Sequence, residues 1–208
     1  LGAGAYAQTA PQISKGNVVV SGWMSLSREA SENSNNPSGN KSIYHSVYLN
    51  PYAGYLIKDG LEIGTGLGLR QHTGITKMEE GKNVTRQNTV SLLPYIRKYI
   101  AITEQLQLHG TAYTSFGIGN QSAKGYQDSS SKVVSTHNSL GIGVYPGLTY
   151  FATPRLGFTA IFGSLSYSSS REKATEESLT DWSSSSNSFN ADFSPSSIGI
   201  GFSYFIAR

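Results

Sequence analysis

The segment NPYAGYLIKDGLEIGTGLGLR, residues 50–70, contains two alternating runs of apolar and polar residues separated by the short break KDG at 58–60. Apolar residues at every second position indicate a β-strand with one apolar face, and a short polar break that contains glycine indicates a hairpin turn. Pro51 stands on the apolar side of the first run, where it cannot donate a backbone hydrogen bond to a neighbouring strand. The segment therefore predicts a β-hairpin with a proline in its first strand.

The same arrangement returns at 93–117, as LPYIRKYIAITEQLQLHGTAYTSFG, and at 145–167, as YPGLTYFATPRLGFTAIFGSLSY. Each copy has a proline (Pro94, Pro146), then aromatic residues, a short break and a second alternating run. A propeller blade needs about four strands, whereas each repeat here holds two, so the repeat predicts hairpins that step around one closed sheet. We expect a bulge or locally frayed pairing to accommodate each proline.

Period-two alternation predicts eight strands in all. They cover residues 17–27, 43–57, 61–70, 89–99, 105–116, 139–151, 156–167 and 198–206. The breaks between them alternate between short ones and long polar ones. The short breaks lie at 58–60, 101–104 and 152–155, and the long ones at about 28–41, 71–88, 117–136 and 168–196.

Short turns on one side, long loops on the other and an even number of strands are typical of outer-membrane barrels. The predicted fold class is all-β, an eight-stranded antiparallel up-and-down transmembrane β-barrel with short periplasmic turns and four long extracellular loops. An even strand count places both termini on the periplasmic side.

Bulk composition excludes several other classes. The 208 residues suit one domain, only 14% of them are charged, and no cysteine is present. A net charge of +3 without a basic cluster does not predict a nucleic-acid partner, and no residues have metal-site spacing. The mean hydropathy of −0.27 is that of a water-soluble protein, but alternation hides the apolar residues of a membrane barrel from such averages.

The polar face of the predicted strands decides the environment of the barrel. Burying its charges in a dry core would be costly, so we place this face in the lumen and the apolar face against lipid. The predicted polar network of the lumen is Glu62, Arg70, Arg97, Gln105, Gln107 and His109. The predicted lipid-facing residues are Leu61, Ile63, Leu67, Leu69, Leu106, Leu108, Ile198, Ile200, Phe202 and Tyr204. Since Glu62 and Arg97 both lie near short turns on neighbouring strands, we expect them to form an ion pair that plugs the lumen.

Several stretches carry a resemblance to a known family: KGNVVVSGWMSLS at 15–27, the hairpin at 50–70, LPYIRKY, YPGLTYFATPRLGF and the closing IGIGFSYFIAR. With them the chain resembles the small eight-stranded outer-membrane β-barrel domains, OmpA-like in transmembrane architecture, over nearly its whole length after residue 14. The resemblance implies a cleaved signal peptide and insertion by the outer-membrane assembly machinery. It also implies a last strand that ends in an aromatic residue, whereas Phe205 is followed here by three more residues.

The domain boundaries follow from the first residues. LGAGAYAQ is typical of the end of a signal peptide, with Ala5 and Ala7 at the positions of an A-x-A cleavage site. We therefore expect a signal-peptide remnant at 1–7, a lead-in at 8–14 and the barrel domain at 15–208.

Function is less constrained than fold. The leading hypothesis is a non-enzymatic, monomeric outer-membrane barrel that is structural or makes surface contacts through its loops, surrounded by outer-membrane lipid and lipopolysaccharide. Trp182, in a serine-rich loop, is the candidate for a loop interaction with a partner or glycan; the alternative is that it folds back on the barrel rim. One alternative is a lipid A-modifying enzyme that uses a histidine near the loops (His45, His72 or His137) with a serine and an acid. A narrow porin-like channel is the other alternative. The sequence predicts no catalytic residue, no cofactor and no metal.

Overall fold

The computed structural model describes residues 13–32, 41–78, 81–125, 132–175, 181–193 and 199–207. The predicted signal-peptide remnant at 1–7 and most of the lead-in at 8–14 lie outside these ranges. Regular structure in the described residues is all β-strand, and no helix there is long and apolar enough to cross a membrane. The strands are β1 (Val18–Glu32), β2 (Lys41–Lys58), β3 (Leu61–Met78), β4 (Gly81–Ala101), β5 (Leu106–Lys124), β6 (Lys132–Phe151), β7 (Leu156–Ile161), β8 (Ser164–Ala174), β9 (Ser183–Asp192) and β10 (Gly199–Ile206).

The strands close into a ring of eight. The order is β5-β4-β3-β2-β1-β10-β7-β6, and β6 pairs with β5 to complete the circle. Strands β7 and β8 are two halves of one wall strand, because both pair with β6. Strands β9 and β10 continue each other in the same way, since β9 pairs with β8 and β10 with β7. All pairs are antiparallel, so the predicted eight-stranded up-and-down barrel is confirmed.

The three short turns lie where the sequence predicted them. Asp59 and Gly60 join β2 to β3, and Gly60 has a φ of +68°, which favours glycine over residues with a Cβ. The other two turns have the same hydrogen bond. The Thr103 hydroxyl accepts a hydrogen bond from the Leu106 amide at 3.0 Å, and the Thr153 hydroxyl accepts one from the Leu156 amide, also at 3.0 Å. A threonine side chain that satisfies a turn amide in this way fixes the local chain reversal.

The long polar connections are much shorter than predicted. β3 runs to Met78 and β4 begins at Gly81, while β9 occupies most of a segment predicted as loop. The ladder continues because backbone pairing does not depend on the apolar pattern. Once both faces of a strand are in water, the period-two signal disappears although the strand does not. The structure thus corrects three of the four predicted loops: most of 71–88, 117–136 and 168–196 is strand. At 28–41, β1 continues to Glu32 and β2 begins at Lys41, and the residues between them lie outside the described ranges.

Two prolines interrupt the ladder without shifting its register. Around Pro51, β2 pairs with β3 at Leu49↔Leu69 and again at Tyr52↔Gly66, with no pairing in between. Around Pro94, the ladder of β4 with β5 stops at Leu92↔Phe116 and resumes at Tyr95↔Tyr113. Because the residue numbers of each pair have the same sum before and after the gap, neither proline introduces a bulge. The expectation of locally frayed pairing holds at these two positions.

The third proline lies beside a break in the wall. Pro146 is opposite the point where β7 ends and β8 begins, and its carbonyl accepts a hydrogen bond from the Phe162 amide at 3.3 Å. Gly163, at the break, has a φ of +74°. The predicted strand 156–167 is therefore two segments, joined by a local kink at Phe162–Gly163.

In the described residues, the barrel wall is closed in one half only. Near the short turns, β1 pairs with β2 on one side and with β10 on the other, as far as Trp23↔Gly201. Beyond Trp23, in the described part of the chain, β1 pairs only with β2 and β9 only with β8. Met24, Ser25 and their neighbours on β1 are exposed on both faces, as is nearly all of β9. We call this gap between β1 and β9 the seam.

Candidate functional site

An oppositely charged pair lies inside the closed half of the barrel. Glu62 on β3 and Arg97 on β4 are direct cross-strand partners, and both side chains point into the lumen. They are 0% and 5% exposed, and Arg97 Nη1 lies 3.7 Å from Glu62 Oε2. An unpaired charge at this depth would be strongly destabilising, so each side chain requires the other.

Tyrosines complete the coordination of the carboxylate. The hydroxyl of Tyr95 donates to Glu62 Oε1, and that of Tyr99 donates to Glu62 Oε2 at 2.8 Å. Both carboxylate oxygens therefore accept a hydrogen bond from a tyrosine. The positively charged guanidinium of Arg97 lies beside them. Such charge-assisted bonds are stronger than bonds between neutral groups.

The guanidinium is held equally firmly. Arg97 Nε donates to the Thr111 hydroxyl at 2.9 Å, Nη1 to Tyr99 at 3.3 Å and Nη2 to Tyr145 at 3.4 Å. The guanidinium carbon also lies 5.2 Å from the centre of the Tyr95 ring, within the range of a cation–π contact. We call these six residues the Glu62–Arg97 cluster: Glu62, Tyr95, Arg97, Tyr99, Thr111 and Tyr145.

Glycines on neighbouring strands leave room for this cluster. A Cβ built on Gly54 of β2 would lie 2.8 Å from the carboxyl carbon of Glu62, and one on Gly64 of β3 would lie 2.7 Å from the Tyr95 hydroxyl. Any larger residue at either position would collide with the cluster. The alternating glycines of the sequence thus make space for large polar neighbours in a narrow lumen.

An apolar layer lies between the cluster and the short turns. Val19, Leu56, Tyr99, Phe151 and Phe205 are buried against one another, and Ile13 packs against them from the lead-in. The rings of Phe151 and Phe205 are 5.1 Å apart, and those of Tyr99 and Phe205 are 6.2 Å apart. We call this layer the apolar plug; it shares Tyr99 with the cluster.

The other predicted lumen residues lie in three different places. His109 is 1% exposed, with its ring 5.7 Å from that of Tyr99, and neither ring nitrogen has a partner among the described residues. Gln107 is buried and donates to the Thr103 carbonyl at 3.3 Å, while Gln105 lies in the turn before β5. Arg70 lies near the middle of β3, exposed and farther from the short turns, over the Tyr48 ring at 4.9 Å. The structure therefore brings Glu62 and Arg97 together and leaves Arg70 apart.

Sequence reasoning missed the hydroxyl partners in this cluster. Tyr95, Tyr99, Thr111 and Tyr145 all stand on the predicted polar face, but only charged and amide residues were assigned to the network. Their positions on the face of Glu62 and Arg97 were the signal that could have identified them.

Most of the predicted lipid-facing residues are exposed on the outer wall. Ile63, Leu67, Leu69, Ile200, Phe202 and Tyr204 are between 40% and 73% exposed. Leu61, Leu106 and Leu108 are half-buried, and Ile198 lies outside the described residues. Trp182, the predicted loop contact, is 38% exposed, and its carbonyl accepts a hydrogen bond from the Ala174 amide at 2.9 Å, where β8 turns into β9.

Histidines near the open end form simple pairs. Ser46 Oγ lies 2.8 Å from His72 Nδ1, and Thr89 Oγ1 lies 2.9 Å from His137 Nε2. Among the described residues, neither pair has a hydrogen-bonded carboxylate of the kind that a hydrolytic triad adds. His45 points away from Ser46, since successive residues of a strand face opposite sides. In the described ranges, no three His, Cys, Asp or Glu side chains come together as a metal site requires.

No protein-family model matches this chain, and none of the curated proteins does. Among solved structures, the chain is similar to the outer membrane protein OprG from Pseudomonas aeruginosa, with 15% identity and a TM-score of 0.49 over 94% of this chain and 98% of that chain. It is also similar to Neisserial surface protein A, with 16% identity and a TM-score of 0.41 over 91% of this chain and 97% of that chain.

Proposed function

We propose that the protein is an integral β-barrel of the bacterial outer membrane, non-enzymatic, with a lumen closed to solutes and an open end that makes contacts at the cell surface. The observation that carries the proposal is the distribution of side chains across the wall. Large apolar residues are exposed around the outside, while Glu62 and Arg97 are buried inside. A water-soluble barrel has the opposite arrangement.

The height of the apolar outer surface supports a membrane environment. On β4, the outward positions from Ile100 to Val90 carry Ile, Lys, Ile, Pro, Leu and Val. Ten residues at about 3.3 Å each, on a strand tilted by about 40°, cover about 25 Å along the barrel axis. That is the height of the apolar band of outer-membrane barrels.

Fractionation tests the location. We expect the protein to stay with membranes washed with urea, to need detergent for extraction and to migrate differently on gels before and after boiling. Recovery of folded protein in detergent-free buffer would contradict membrane insertion.

The side chains that fill the lumen support the proposal that it is closed to solutes. The apolar plug and the Glu62–Arg97 cluster occupy successive levels of an eight-stranded barrel, whose interior has room for little more than side chains. We expect the refolded protein to give no stable conductance in planar lipid bilayers. Reproducible single-channel steps would favour the porin-like alternative.

We infer the orientation in the membrane and the role at the cell surface from the difference between the two ends of the barrel. Short turns face the periplasm in barrels of this kind, so the open end with the β8–β9 hairpin faces outward. Trp182 and Phe189, at 38% and 69% exposure, are the apolar residues that this hairpin offers to a partner. A cysteine introduced at Ser184 should react with a membrane-impermeant thiol reagent on intact cells. Labelling that occurs only after the outer membrane is permeabilised would reverse the orientation.

A further inference from the structure

A groove on the outer wall ends at a row of amide side chains. The groove, of about 420 Å³, is lined by the outward-facing Leu67, Val90, Leu92, Phe116 and Ile118, with Ser91, Gly117 and Ser139 at its floor. We call it the outer groove. It crosses β3 to β6, and Val90 and Ile118, which are cross-strand partners, form its edge on the side of the open end.

The amide row begins one outward position beyond that edge. Gln71, Asn88 and Asn120 are consecutive cross-strand partners on β3, β4 and β5. Gln71 Nε2 donates to Asn88 Oδ1 at 3.0 Å, and Asn88 Nδ2 donates to Asn120 Oδ1 at 3.5 Å. Each of these amides still has donors or acceptors to offer a ligand, because a primary amide has two of each.

Cations lie above the amide row and at one end of it. Arg86 stands one outward position above Asn88 on β4. On β8, Lys173 continues the row through Thr136, and Arg171 is the cross-strand partner of Asn138. All three cations are exposed and outward-facing.

The described strands carry their acidic residues away from this side of the wall. Among the described residues, Glu29 and Glu172 are at inward positions of this half, and Glu172 accepts a hydrogen bond from Ser135 inside. In the described ranges, β4–β8 have no acidic residue at an outward position. The outer surface of β4–β8 thus carries positive charge directly above an apolar groove.

We propose that this surface binds one phosphorylated glycolipid of the outer leaflet. Arg86, Arg171 and Lys173 hold the phosphates, the amide row binds sugar hydroxyl or amide groups, and an acyl chain lies in the outer groove. Arginine is suited to phosphate because its planar fork donates two parallel hydrogen bonds. The site rests on the proposed function, since it needs the apolar band to lie in the membrane with the open end in the outer leaflet.

The test uses the full chain, refolded in zwitterionic detergent that is free of glycolipid. The probes are bis-phosphorylated lipid A, the same lipid A after removal of its phosphates, and phosphatidylglycerol, an anionic lipid without sugar. Native mass spectrometry counts the bound lipid and measures its retention. We expect one bis-phosphorylated lipid A per protein, bound about tenfold or more tightly than either comparison lipid.

Variants locate the site. Arg86→Gln combined with Arg171→Gln and Lys173→Gln should weaken binding of bis-phosphorylated lipid A about tenfold, to the level of the dephosphorylated form. Arg28→Gln is the matched control, because Arg28 is also an exposed outward arginine beyond the apolar band, but lies on β1, away from the groove. Val90→Trp, which fills the groove and adds no charge, should also weaken binding. Arg86→Lys with Arg171→Lys keeps the charge and should retain part of the affinity.

Three results would overturn the site: equal binding of dephosphorylated lipid A, equal binding of phosphatidylglycerol, or an equal loss in Arg28→Gln and in the triple variant. The last would show diffuse attraction to the whole rim. Failure of the wild-type chain to insert into membranes would instead contradict the proposed function. A protein that inserts but shows no preference for phosphate would contradict this inference alone.

Discussion

The two halves of the barrel are built from the same strands but are stabilised in different ways. In the half near the short turns, β1 has a hydrogen-bonded neighbour on each side, and the lumen beside it holds the apolar plug. In the other half, in the described residues, β1 loses its neighbour at the seam, and Ser25 and Ser27, which face inward, are exposed. Closure of the wall and filling of the lumen therefore occur together. Side chains from several strands can pack across the lumen only where the ring that carries them is complete.

The largest expected effect comes from breaking the buried ion pair of the closed half. Glu62→Ala and Arg97→Ala should each lower the free energy of unfolding in detergent by about 3–5 kcal/mol, because each leaves an uncompensated buried charge. The double variant should cost less than the sum of the two. Glu29→Ala is the control: Glu29 also faces inward, but it is exposed in the open half, and its loss should change stability by about 0.5 kcal/mol or less. Strict additivity of the first two losses, in urea titrations, would show that the pair makes no contribution.

The apolar plug offers a second contrast. Phe205→Ala removes a ring that is 0% exposed, and should cost about 3 kcal/mol. Tyr44→Ala removes an inward ring of the open half that is 39% exposed and stacks on His72, and should cost about 1 kcal/mol. Similar losses in the two variants, measured by the same titration, would mean that the open half is packed as firmly as the closed half.

The seam can be examined within one strand. Residues of β1 from Val18 to Trp23 pair with a strand on each side, whereas in the described residues those beyond Trp23 pair with β2 alone, so that every second amide there points into the seam. Hydrogen exchange should report opening free energies at least about 2 kcal/mol lower beyond Trp23 than before it. Uniform protection from Val18 to Ser31 would show that the seam is closed in solution.

The smallest effect should come from the turn between β2 and β3. Gly60 adopts a φ of +68°, and a Cβ there would lie 3.0 Å from the Tyr99 carbonyl oxygen. Gly60→Ala should cost about 1 kcal/mol. Gly110→Ala is a suitable control, since a Cβ at Gly110 meets no atom within 4 Å and φ is not positive there. Equal free energies of unfolding for the two variants would contradict the claim that a Cβ at position 60 is strained.

Much of the closed half could be predicted from the sequence. The alternation assigned residues such as Leu67 and Glu62 to the correct faces, because successive residues of a strand face the outside and the lumen in turn. The KDG turn and the threonine turns were recognisable because local chain reversal depends on nearby residues. The pairing of Glu62 with Arg97 followed from counting outward from two such turns.

The open half was much less predictable. Strand β9 has the sequence SSSSNSFNAD, with water on both faces, so no alternation reveals it. The seam depends on how the first strand meets the last ones, about 160 residues away, and no local pattern encodes that meeting. Arg70 was assigned to the network of the closed half because its face was known while its height in the barrel was not.

The prolines have a consequence for the chain before it folds. An unfolded chain of alternating strands is prone to stack with other copies through continuous backbone hydrogen bonds. Pro51, Pro94 and Pro146 remove one donor from each of β2, β4 and β6, and β2 and β4 tolerate the loss without a shift of register. The folded barrel tolerates these missing hydrogen bonds because each of the three strands pairs with a neighbour on both sides. Side chains packed in the lumen stabilise the wall as well. A fibril-like stack of identical strands would repeat the missing donor in every layer, so the prolines guard the chain against aggregation at little cost to its native fold.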